Sequence, residues 1–241
     1  MKNTILNPHD GTLARLVSSH KLTHGNQLRQ VHNTVTTGIP VLDHFLPTGG
    51  YVAGAINEWV GSVLKHTFVS FAMAHHSQAG PVAFLSTHGT LNPLLLESIG
   101  GNLQNCFFAV EPDPQRFPWL VEQVMAAGSF PLVVIYASHW QARRPWFSAP
   151  VYRRLLALVK RHATTLVVLL EPHESLPFLA RTASLRLALS GDPSREPGQL
   201  PQGTVEIEKC SGFPPGATLT LTLSDLFAEA SPPHIHAGES S

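Results

Sequence analysis

Lys65 and Thr67 stand a few residues beyond Gly61, between an apolar strand pattern (Ala55 to Val60) and an apolar run from Phe68 to Ala74. A glycine, a lysine and a hydroxyl residue between a strand and a helix are the groups that hold a polyphosphate. Backbone N–H groups curl round the oxygens, the ammonium neutralises charge, and the hydroxyl serves a metal ion. Gly61, Lys65 and Thr67 are therefore the candidate nucleotide-binding residues. The loop departs from the pattern such chemistry needs, G-x-x-x-x-G-K-[ST]. Gly61 is followed by Ser62-Val63-Leu64-Lys65-His66-Thr67, so the glycine before the lysine is missing and the loop is one or two residues short. Leu64, which carries a Cβ and a branched side chain where glycine would admit a ligand, is expected to crowd a phosphate. The site reads as a degenerate phosphate loop, with no cofactor and no catalysis expected.

A second group lies from His139 to His162: H-W-Q-A-R-R-P-W-F-S-A-P-V-Y-R-R-L-L-A-L-V-K-R-H. It holds six Lys and Arg residues and no acid. Trp140, Arg143, Arg144 and Trp146 come first; Arg153 and Arg154 recur as Lys160 and Arg161 seven residues later. A helix would show those four cations on one face, opposite Leu155, Leu156 and Val159. Cations interleaved with aromatics suit single-stranded nucleic acid, and Trp and Arg equally suit a protein interface. These two readings stay open, beside that of a plain solvated helix with a packed loop. The 14 histidines include no i, i+4 pair with a carboxylate, so no metal site is expected. No serine or cysteine has a base at a recognisable spacing.

The elements that must position these groups follow a simple order. Thr37-Gly38-Ile39-Pro40 is a turn leading into a short helix over Val41–Leu46. Strands are expected at 55–60, 81–86, 104–110, 131–136 and 165–170, with helices at 68–77, 91–99, 114–127 and 151–162. Short continuous apolar strands alternating with helices predict a parallel sheet covered on both faces. Residues 184–190, 203–210 and 217–223 alternate instead and predict antiparallel strands at one edge. The domain expectation is an N-terminal arm over 1–33, a core over 34–225 and a disordered tail over 226–241. With 43% hydrophobic and 13% charged residues, net charge zero and pI about 7.3, no global field recruits nucleic acid or membrane. Cys106 and Cys210 read as buried thiols of a reducing compartment. A polar N-terminus without a signal peptide, and no run of membrane-spanning length, make the expected location cytoplasmic.

The T-G-I-P-x-L-D lead, Gly49-Gly50, Gly54 and Glu58 fall where the RecA-like recombinase superfamily places them. Phe84 to Pro93 resembles that family's F-I-D-A-E-H-A-L-D-P, and Ala183 to Leu187 its A-S-V-R-L. The resemblance runs from about Thr34 to Leu223 and implies a RecA-like α/β sandwich, mostly parallel, with antiparallel C-terminal strands. It also implies that His88 stands where the family has its ATP-activating glutamate, and Tyr136 where it has the Walker B aspartate. A pseudo-ATPase is the expectation, with Glu58 structural. Within the superfamily the chain is most similar to the ImuA family of accessory proteins in mutagenesis cassettes. That likeness implies a role in SOS-linked translesion synthesis and a partner, an ImuB-like Y-family polymerase homologue. RecA, single-stranded DNA and a second copy are further partners consistent with it. A RecA paralogue with residual ATP binding and a SulA-like division inhibitor are the alternatives.

Overall fold

The structure is a computed structural model that describes residues 33–61, 64–89, 91–113, 115–136, 149–171, 183–192, 202–222 and 225–226. Of the expected arm over 1–33 only Asn33 falls within them, and of the expected tail over 226–241 only Leu226, which is buried. Outside them lie the rest of both, Trp140, Arg143, Arg144 and Trp146, and the segment 172–182.

Ten strands and five helices carry the described chain: β1 (Thr34–Val35), α1 (Pro40–Phe45), β2 (Tyr51–Val52), β3 (Ile56–Gly61), α2 (Leu64–Ser77), β4 (Val82–Ser86), α3 (Pro93–Ser98), β5 (Cys106–Val110), α4 (Phe117–Ala127), β6 (Leu132–Tyr136), α5 (Ala149–His162), β7 (Thr165–Leu170), β8 (Leu185–Asp192), β9 (Gln202–Cys210) and β10 (Thr218–Thr222). A short 3-10 turn, Leu103–Asn105, precedes β5. The main sheet has eight strands in the order β10-β9-β8-β3-β7-β6-β4-β5, and β1 pairs β2 separately.

The six strands from β8 to β5 are parallel, and β9 runs antiparallel to both of its neighbours, β8 and β10. The expected antiparallel pairing of 184–190 is made with β9, and on its other side β8 joins β3 in parallel. Central strands such as Thr165–Leu170 are buried at every position because helices cover both faces. In β8 and β9 alternate residues (Leu185, Leu187, Leu189; Val205, Ile207) enter the core, joined past a bulge by Cys210 at the end of β9, the signature of a sheet covered on one face.

Two cores result. One joins α1, α2 and α3 to Trp59, Phe84, Val134, Leu169 and Leu187; the other joins α4 and α5 to Ile56, Leu85, Ile135 and Val168. Helix ends obey local chemistry: Asn92 caps α3 by accepting from Leu94 N (3.0 Å) ahead of Pro93, and Gly128 closes α4 with φ 67°. Among the described residues no helix is long and apolar enough to cross a membrane.

The T-T-G-I-P-x-L-D lead proves to be a packing device. Asp43 accepts from the Thr36 hydroxyl and from Thr37 N (2.8 Å), tying the turn to α1. Gly38 has φ 75°, and a Cβ there would lie 2.4 Å from the Phe71 carbonyl oxygen of α2, so only glycine lets the turn rest on that helix. Asn57 pins β2 to β3 through Val52 N (3.0 Å) and Val52 O (3.1 Å).

Candidate functional site

β3, β6 and β7 are adjacent parallel strands, so their C-terminal ends open on one rim of the sheet. Gly61, Tyr136 and Glu171 stand there, and α2 starts from the same rim. The helix begins at Leu64, four residues before the sequence pattern suggests. Lys65 and Thr67 therefore belong to its first turn rather than to a loop. With no glycine ahead of the lysine, nothing holds the backbone open, and Leu64 and Lys65 join the helix.

The Lys65 side chain is wholly buried. Its ammonium donates to the Gly61 carbonyl (2.9 Å) and to Glu171 Oε1 (3.0 Å). Tyr136 donates its hydroxyl to the same Glu171 oxygen (2.9 Å), and the Lys65 nitrogen lies 5.6 Å from the centre of the Tyr136 ring. Burial pushes the Glu171 carboxyl up, but the bonds from Lys65 and Tyr136 and the lysine charge outweigh it and leave it below the usual range. Two imidazoles complete the cluster. His66 meets the Tyr136 ring edge-on at 4.3 Å, and His88 lies at 5.2 Å. Burial, reinforced by the positive charge of Lys65, lowers His66 to about 4, so it is neutral at pH 7.

The structure thus brings Lys65 together with Tyr136 and His88. It adds Glu171, which the sequence reading does not single out and which lies 106 positions from Lys65. Gly61 has φ 118°, and a Cβ on it would sit 2.1 Å from the Leu189 carbonyl oxygen. Its missing side chain serves the close approach of β8. Leu64, expected to crowd a phosphate, packs instead toward β9, with Cδ1 3.1 Å from where a Cβ on Gly203 would be. Thr67 is half-buried on α2.

Glu58 points to a separate network. Its carboxylate is fully buried and accepts from Arg186 Nη1 (2.7 Å), while Arg186 Nε reaches Glu208 (2.6 Å). Glu58 Oε1 has no hydrogen-bond partner among the described residues. Burial raises the Glu58 carboxyl against the pull of Arg186. This network joins β3 to the start of β8 and the end of β9 and belongs to the sheet.

On α5, Arg153, Arg154, Lys160 and Arg161 are all exposed, and Tyr152, Leu155 and Val159 are buried opposite them. Arg154 is engaged in a fork with Glu122 of α4 (2.7 to 3.1 Å). Arg153, Lys160 and Arg161 make up the rest of the face. Among the described residues no group of three or more His, Cys, Asp or Glu side chains could hold a metal ion. Cys210 is buried and Cys106 half-buried.

No family model matches the chain. Over 113 residues, 46% of its length, it is 27% identical to the protein RecA of Staphylococcus carnosus. Over 114 residues it is 29% identical to RecA of Rubrobacter xylanophilus and 27% identical to RecA of Staphylococcus aureus strain JH9. These matches span about a third of the length of each RecA. The crystal structure of the RadB recombinase superposes with a TM-score of 0.65 at 18% identity, covering 80% of this chain and 97% of that one. The shared fold and the sequence likeness to RecA relate the chain to the RecA-like recombinase superfamily.

Proposed function

We propose that this chain is a non-catalytic RecA-like adaptor in SOS-linked DNA damage tolerance, of the ImuA type, acting in mutagenic translesion synthesis. The observation that carries the non-catalytic half is the ion pair of Lys65 with Glu171. The residues of the rim do not fit a nucleotide with its magnesium ion. The ammonium already has an anion, Tyr136 stands at the end of β6 where a carboxylate would hold the metal, and α2 starts without a glycine-built cradle. These features support a RecA-like core retained for its surfaces.

Its partner in this reading is an ImuB-like Y-family polymerase homologue, with RecA, a second copy and single-stranded DNA as further contacts. The α5 face is the surface that meets them: three exposed cations outside the Glu122 fork, on a chain of zero net charge. The test is a triple variant, Arg153, Lys160 and Arg161 to Ala, which leaves the Arg154–Glu122 fork in place. Oligonucleotide anisotropy should show salt-sensitive binding by the wild type, equal with and without ATP and magnesium, and lost in the variant. Unchanged DNA binding with loss of the polymerase-homologue complex would assign the face to protein. Retention of both would remove α5 from the proposal.

A further inference from the structure

The two ends of the Lys65–Glu171 pair differ in depth. The lysine side chain is 0% exposed, whereas the glutamate is 34% exposed. A buried ammonium must have an anion beside it, because an uncompensated charge there is too costly to keep. Solvent reaches only the carboxylate, so that side alone can be exchanged without opening the core. Glu58 makes the contrast: its carboxylate is 0% exposed and Arg186 cannot change partner without disturbing the sheet.

Glu171 lies directly after the last residue of β7, and Tyr136 ends β6. Both strand ends are fixed by the sheet, so the carboxylate is held against Lys65 at a high effective concentration that a free anion must overcome. The position it takes, at the rim between α2 and the strand ends, is where Lys65 would meet an oxyanion arriving from solution.

We propose that Glu171 is a tethered anion that excludes polyphosphates from Lys65, and that removing its charge opens this rim to pyrophosphate. The inference rests on the reading of the rim as closed to nucleotide and names the residue that closes it. Glu171→Gln is the informative change. The amide oxygen can still accept from Tyr136, which keeps the strand ends in place, while loss of the negative charge weakens its hold on Lys65 so that a free anion can displace it. The ammonium then lacks a counter-charge, and a diphosphate supplies one.

The test is calorimetric titration of the full chain with inorganic pyrophosphate. The wild type should give no binding up to millimolar concentration. Glu171→Gln should bind at least tenfold more tightly than that limit, and K65M added to E171Q should abolish the gain. A folded Glu171→Gln protein, judged by circular dichroism, that binds no better than wild type would overturn the proposal, as would binding that survives in the double variant. Should Glu171→Gln not fold, Glu171→Ser is read in its place; failure of both to fold makes the pair structural and likewise overturns it. The non-catalytic reading is judged separately, on ATP with wild-type protein. Its survival beside a silent Glu171→Gln would leave the closed rim standing and remove only Glu171 as its cause.

Discussion

Gly61 shows how one residue can carry two meanings. In the sequence it reads as the first glycine of a phosphate loop; in the folded chain its φ of 118° and the Leu189 carbonyl 2.1 Å from a built Cβ make it a packing residue. Gly61→Ala should therefore destabilise the protein on the order of 2–4 kcal/mol, measured by urea denaturation, whatever ligand is present. A stability within 0.5 kcal/mol of wild type would return Gly61 to the loop. His66 gives a second residue-level consequence. Folding lowers it from 6.5 to about 4, so the unfolded chain binds the proton more tightly. Stability is then complete above pH 6.5 and falls as the pH drops toward 4. The loss should be on the order of 2 kcal/mol given partial exposure. His66→Phe, which keeps the edge contact with Tyr136, should flatten that slope in denaturation curves taken from pH 7 to 4.5. Lys65 and Gly61 are visible in the sequence because they are near neighbours. Glu171 is not, because no local pattern joins residues 106 positions apart; only the adjacency of β3, β7 and β6 does.

At the scale of elements, the sheet was readable where both faces are covered. Runs such as Leu166–Leu170 and Leu132–Ile135 are apolar throughout, so both their place and their type were legible. Two features were not. The apolar run places the start of α2 at Phe68, whereas the chain, with no glycine ahead of Lys65, turns helical from Leu64. The direction of β8 depends on its neighbour being β3 rather than β9 alone; alternation tells that one face is exposed, not which way the partner runs. The same strands carry the buried Glu58–Arg186–Glu208 network. Arg186→Met would remove the nearest counter-charge of Glu58 and the hydrogen bond to its second oxygen, leaving only the more distant charge of Lys209. That change should cost about 3 kcal/mol by thermal or urea denaturation. The double change of Glu58 and Arg186 to Met should recover most of it, since replacing a whole buried pair is far cheaper than halving it. A double variant no more stable than the single one would show that the pair contributes more than charge balance.

The described core is a RecA-like sandwich, and at the rim that the strand order builds Lys65 and Tyr136 both bond to Glu171. The fold was legible because many weak signals, from the T-G-I-P turn to the alternating C-terminal strands, agree on one topology. The proposed role is less so, since adaptors are defined by surfaces, and Trp140, Arg143, Arg144 and Trp146 fall outside the described residues. The central claim concerns what the rim can hold. The most direct measurement is calorimetric titration of the wild-type protein with ATP and with a slowly hydrolysed analogue, magnesium present. Binding that is absent or millimolar at best is the predicted result and leaves Lys65 to its internal partner. Micromolar binding of either ligand would contradict the account, since Glu171 would then yield its place to a phosphate and the alternative of a RecA paralogue with residual ATP binding would replace it.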